Sequence, residues 1–201
     1  MIDMPKFVLP GTWLRVDLAS EATSRSSIRK LVQTAVGNRD DRAQWRAELR
    51  GYFHAAADLA REVSTRELFV AQSIAQGVPL SASLSLSYPD LTSHELSELG
   101  LADLARVLGI LRTPEADVTD MPIGVSDGKI RAVRQISHHL VPASDDVPAI
   151  PRVQLDYWIA RATPAQIVLF SFSSTFVDFE VELTELFDAI VRTARWPVVA
   201  A

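Results

Sequence analysis

The stretch Ser81-Ala82-Ser83-Leu84-Ser85-Leu86-Ser87-Tyr88 alternates strictly between polar and apolar residues. Because successive side chains on a β-strand point to opposite faces, this pattern predicts a strand with one apolar and one polar side. The apolar side carries Ala82, Leu84, Leu86 and Tyr88. The serine side is expected either to be covered closely by a helix or to be exposed to a partner.

Other extended segments surround this strand in the sequence. Residues 13–18 alternate briefly, whereas Glu67 to Ala75 is apolar on both sides, as expected for a central strand that is covered on both faces. The pair Asp127-Gly128 tolerates the positive φ of a tight turn and predicts a hairpin. Two more strands are predicted over 153–162 and 167–174, with a turn at Thr163-Pro164 between them.

Helical periodicity appears in four places. The spacing of Ile28, Leu31, Val32 and Ala35 predicts a short helix, and the capping box of Thr92 and Glu95 predicts another that runs to about Leu111. Residues 180–195 are predicted to form a last helix. The most regular pattern lies between Asp40 and Glu62, where it predicts an apolar stripe packed on the sheet and a solvated opposite side. The stripe is Trp45, Leu49, Phe53, Ala56 and Ala60, and the solvated side is Arg46, Glu48, Arg50, Asp58 and Arg61.

These elements fit one α+β domain over residues 1–201. Hairpin-linked strands in the second half predict an antiparallel sheet, because parallel neighbours need long crossover connections. We therefore expect an antiparallel β-sheet of about six or seven strands flanked by helices, in an α/β/α sandwich.

Composition excludes several classes of function. The net charge is −5 with no block of like charges, which argues against nucleic acid as a partner. Apolar runs are too short to insert into a membrane. The chain has no cysteine, which excludes disulfides and thiolate chemistry and favours a cytoplasmic location.

The sequence contains no residue pattern that nominates a catalytic, cofactor-binding or metal-binding residue. The chain has neither a Gly-x-Ser-x-Gly elbow nor a glycine-rich phosphate loop. His138 and His139 are adjacent on an expected strand, so they point to opposite faces and are poorly placed to share one metal ion. We expect no cofactor.

The chain resembles the Mog1/PsbP-like group in its order of elements and in a few short phrases. These are Pro10-Gly11-Thr12-Trp13, the Ser81–Tyr88 strand, and Val168-Leu169-Phe170-Ser171-Phe172-Ser173 followed by residues 185–190. The resemblance implies helices around an antiparallel sheet and a role like that of small bacterial adaptors or secretion chaperones. It identifies no functional residue.

The first functional hypothesis is a non-enzymatic module that binds another protein, as an adaptor, effector chaperone or immunity-type accessory protein, in connection with a bacterial specialised secretion system. The alternative is a small-molecule-binding protein or cofactorless enzyme with a pocket between sheet and helices. A homodimer is a third hypothesis. The candidate partner-binding surface comprises Ser81, Ser83, Ser85, Ser87, Tyr157 and Trp158.

Overall fold

A computed structural model describes residues 4–89, 117–122, 131–141, 149–162 and 165–196. Three α-helices are present in these ranges: α1 (Glu21–Val36), α2 (Ala43–Glu62) and α3 (Glu180–Arg192). The strands are β1 (Thr12–Asp17), β2 (Thr65–Ala75), β3 (Val78–Pro79), β4 (Ala82–Ser87), β5 (Asp117–Pro122), β6 (Arg131–Val141), β7 (Ile150–Ala162) and β8 (Ala165–Ser174).

The strands form one antiparallel sheet. Seven of the strands in the described ranges lie in the order β1-β2-β4-β8-β7-β6-β5, and the two-residue β3 pairs with the end of β2. Helices α1 and α2 pack on one face, over β1 and β2, and α3 packs on the other, so the predicted α+β sandwich is confirmed. The predicted helix at 92–111 and the Asp127-Gly128 turn lie outside the described residues, although β5 and β6 on either side of that turn do pair.

The alternation in β4 builds the larger core. Leu84 and Leu86 have no exposed surface and lie opposite Phe172 and Phe170 of β8. Helix α3 closes this face through Phe187, whose ring stacks on Phe172 with 4.3 Å between the centroids. The N-terminal segment covers the adjoining strands on the same face, with a set of edge-to-face ring contacts from Phe7 to Phe69 and Phe170.

The smaller core lies on the other face. Leu68 and Val70 of β2 pack there with α1 and α2, whereas Phe69 and Ala71 of the same strand belong to the larger core. The predicted coverage of this strand on both faces is therefore confirmed, although β2 is second in the strand order rather than at its centre. Helix α1 begins earlier than its apolar spacing indicated, because Ser20 and Thr23 form a reciprocal capping box.

A buried ion pair links α3 to the sheet. The carboxylate of Asp188, which is 9% exposed, accepts two hydrogen bonds from Nη1 of Arg134 at 2.9 and 2.8 Å. It also accepts a hydrogen bond from the Tyr157 hydroxyl at 2.8 Å. Arg192, one helical turn further along α3, lies 3.4 Å from the same carboxylate. These contacts join α3 to β6 and β7.

We expect Asp188→Ala to destabilise the chain by about 3 kcal/mol, because it leaves a mostly buried guanidinium without its carboxylate. Urea unfolding followed by circular dichroism measures the change. The control is Glu185→Ala, which removes an exposed carboxylate from the same helix and should change the free energy of unfolding by about 0.5 kcal/mol or less. If Asp188→Ala lowers the free energy of unfolding no more than the control does, the ion pair does not stabilise the contact between α3 and the sheet.

Candidate binding surfaces

The serine side of β4 continues across the neighbouring strands. Ser83 and Ser85 lie opposite Ser173 and Ser171 of β8. On β7, Gln154 and Asp156 then lie opposite the same two β8 serines. These six half-buried residues form what we call the polar face. The sequence carried a signal for its β8 part, since Phe170 to Ser173 alternates as β4 does.

Only part of the predicted partner-binding surface belongs to this face. Ser83, Ser85 and Trp158 lie on this side of the sheet and are half-buried. Ser81 is exposed just before β4 begins. Ser87 is buried, and its hydroxyl lies 2.8 Å from that of Thr65, so it is not available as an exposed contact.

Tyr157 does not share the polar face. It precedes Trp158 on β7, and adjacent side chains on a strand point to opposite sides. Tyr157 is 0% exposed, and its hydroxyl donates to Asp188 beneath α3. Burial, followed by the Asp188 charge, raises the pKa of this hydroxyl. Placing Tyr157 with the serines was therefore wrong, and its role is in the core.

Asp156 is the titratable group within the polar face. Its two carboxylate oxygens accept hydrogen bonds from Nε2 of Gln154 at 3.1 and 3.0 Å. The same Nε2 lies 3.2 Å from the Ser171 hydroxyl. Burial raises the pKa of Asp156, although the hydrogen bonds of Ser171 and Gln154 and the charges of His139 and Arg152 act in the opposite direction. Sequence reasoning did not single out this residue.

A shallow cavity of about 240 Å³ lies at one end of the polar face. Its lining combines hydroxyl residues with apolar ones: Ser81, Ser83, Ser173, Ser174, Thr175, Val70, Ala71 and Ala82. Binding sites for drug-sized molecules usually enclose about 300 to 1,000 Å³. This cavity is smaller and open to solvent, so it offers weak support for the small-molecule hypothesis.

The two adjacent histidines of β6 point to opposite sides, as their spacing predicts. His138 contacts Glu180 at the start of α3, whereas His139 lies 2.9 Å from the Ser137 hydroxyl. Within the described ranges, no three histidine or carboxylate side chains converge in a way that could hold a metal ion. The expected absence of catalytic, cofactor and metal residues stays a prediction.

Helix α2 exposes apolar side chains that the sequence placed on the sheet. Of the predicted stripe, Leu49, Phe53 and Ala60 do pack in the smaller core, but Ala56 is exposed and Trp45 is 51% exposed. The reason is a second apolar side on the helix. It comprises Trp45, Tyr52 (75% exposed), Leu59 (64%) and, directly after the last helical residue, Val63 (66%), which we call the α2 stripe.

The charges of α2 are also arranged differently from the prediction. Arg46, Arg50 and Arg61 were expected in solvent, yet all three are half-buried. They lie on the side of α2 that faces α1. Nη1 of Arg61 donates to the Ser24 hydroxyl at 2.9 Å, and Nη1 of Arg46 donates to the Gly37 carbonyl at 3.0 Å. Glu48 is exposed, as predicted.

No protein-family model matches this chain, and neither does any curated protein or solved structure. The resemblance to the Mog1/PsbP-like group therefore stays a prediction. None of the helices in the described part of the chain is long and apolar enough to cross a membrane.

The raised pKa of Asp156 predicts a pH-dependent effect of Asp156→Asn. The folded chain holds the Asp156 proton more readily than the unfolded chain, so this group lowers stability as pH rises from about 4 through its folded pKa. The asparagine cannot titrate. We therefore expect the free energy of unfolding of the variant, minus that of the original chain, to increase with pH and then level off.

Urea unfolding at several pH values between about 4 and 7 measures this difference. Asp178→Asn, which replaces an exposed carboxyl, reports the effect of losing one surface charge. If the difference in the free energy of unfolding between Asp156→Asn and the original chain stays constant or decreases with pH, the pKa of Asp156 is not raised.

Proposed function

We propose that this chain is a non-enzymatic protein-binding module. The observation that carries the proposal is the α2 stripe: large apolar side chains, half to three-quarters exposed, follow one side of a single helix. Scattered exposed apolar residues are ordinary on protein surfaces, whereas contiguous ones mark interaction sites. The element that fits against the α2 stripe is an α-helix of another protein.

Covering the α2 stripe would supply part of the free energy of specific binding. Burying a large apolar side chain completely contributes about 1.5 to 3 kcal/mol. In proportion to their exposure, the four stripe residues would contribute about 5 kcal/mol when a partner covers them. That gain has to offset the loss of translational and rotational freedom on association, so the surrounding contacts also matter.

The roles that fit this proposal are those of a cytoplasmic adaptor, effector chaperone or immunity-type accessory protein associated with a bacterial secretion system. The polar face supports a second candidate, a small-molecule binder or cofactorless enzyme, through the desolvated carboxyl of Asp156 and the neighbouring cavity. That cavity is smaller than the usual binding site for a drug-sized molecule, so we rank this candidate second.

Tyr52→Glu tests the proposal directly. Tyr52 is 75% exposed, so the substitution should leave the free energy of unfolding within about 0.5 kcal/mol of the original. It places a charge in the middle of the α2 stripe. In affinity purification from cells that express the chain naturally, we expect a stoichiometric partner, identified by mass spectrometry, that Tyr52→Glu no longer retains.

Val181→Glu is the matched control, because Val181 is 69% exposed and lies on α3 rather than α2. It should retain the partner in full. The proposal fails if no stoichiometric partner is recovered, or if both variants retain it equally.

A further inference from the structure

We infer that the α2 stripe takes an amphipathic helix of another protein whose apolar side is bordered by lysine or arginine. This inference rests on the proposed function and names the class of partner for the same surface. It is carried by two features of α2, the length of its exposed ridge and the separation of its charges.

The shape of the surface favours a helix. At a rise of 1.5 Å per residue, Trp45 and Val63 are separated by about 27 Å along the helix axis, or five turns. Ala55 and Ala56 are exposed between Tyr52 and Leu59, and their small side chains leave a depression in the ridge. A partner helix can place a larger side chain there, as ridges fit into grooves when helices pack.

The charges beside the stripe favour a basic partner. Glu48 lies three residues after Trp45 and four before Tyr52, and Glu62 lies three residues after Leu59, so both border the stripe. Both are exposed. The basic residues of α2 lie on the side that faces α1. The accessible border of the stripe is therefore acidic.

The same border disfavours a second copy of this chain as the occupant. Two α2 helices that paired through their stripes would bring two acidic borders into one interface. Like charges that meet at an interface oppose association and serve to reject wrong partners. A basic helix, by contrast, pairs its apolar side with the stripe and its cationic border with Glu48 and Glu62.

Two synthetic peptides test the inference with the full chain. Both are amphipathic helices of about 18 residues, long enough to span five turns. Both peptides have the same apolar side, made of leucine and alanine. They differ only in the residues that flank this side, which are lysine in one peptide and glutamate in the other. Fluorescence polarisation of the labelled peptides gives their affinities at low and at physiological salt.

We expect the lysine peptide to bind at least about tenfold more tightly than the glutamate peptide, a difference of about 1.4 kcal/mol, and the preference to shrink with salt. The double variant Glu48→Lys/Glu62→Lys should reverse the preference. The control Glu182→Lys/Glu185→Lys makes the same change in net charge at exposed positions of α3 and should leave it in place.

Equal binding of both peptides overturns the inference, as does a Glu48→Lys/Glu62→Lys variant that behaves like the α3 control. A concentration-dependent dimer that Tyr52→Glu abolishes in sedimentation overturns it too, because the occupant is then a second copy. If neither peptide binds while Tyr52→Glu still releases a natural partner, this inference fails and the proposed function stands. If Tyr52→Glu also retains that partner, both fail.

Discussion

The structure depends on the two-residue alternation shared by β4, β8 and β7. Because these strands are adjacent and in register, their apolar side chains form one continuous surface, which α3 covers with Phe187 stacked on Phe172. The same alternation necessarily collects the polar side chains on the opposite side. A one-residue slip in register would exchange the two sides, so packing against α3 also fixes where the polar face lies.

Apolar packing alone would allow α3 several orientations on the sheet. The polar contacts of Asp188 restrict this orientation. Its carboxylate meets Arg134 of β6 and Tyr157 of β7 within a largely apolar interface. Such buried pairs contribute less to net stability than their attraction suggests, because both groups lose water. We expect the pair to fix how α3 lies across the two strands, because Asp188 must reach both Arg134 and Tyr157.

Sequence periodicity predicted the fold class, the central β2 and the serine side of β4, because these depend on local alternation. It failed where two apolar sides compete. In α2 both Phe53 and Tyr52 belong to apolar stripes, and spacing alone cannot show which one faces the sheet. The roles of Tyr157 and Asp156 were missed for another reason. They depend on residues that are distant in sequence, such as Asp188 and Ser171, which only the strand register brings close.

We propose that a partner protein covers α2 rather than the polar face. Hydroxyl-radical footprinting of the chain, alone and with its co-purified partner, tests this most directly. We expect Trp45 and Tyr52 to be oxidised readily in the free chain and protected in the complex, while Trp158 changes little. Protection of Trp158, with unchanged oxidation of Trp45 and Tyr52, would contradict it.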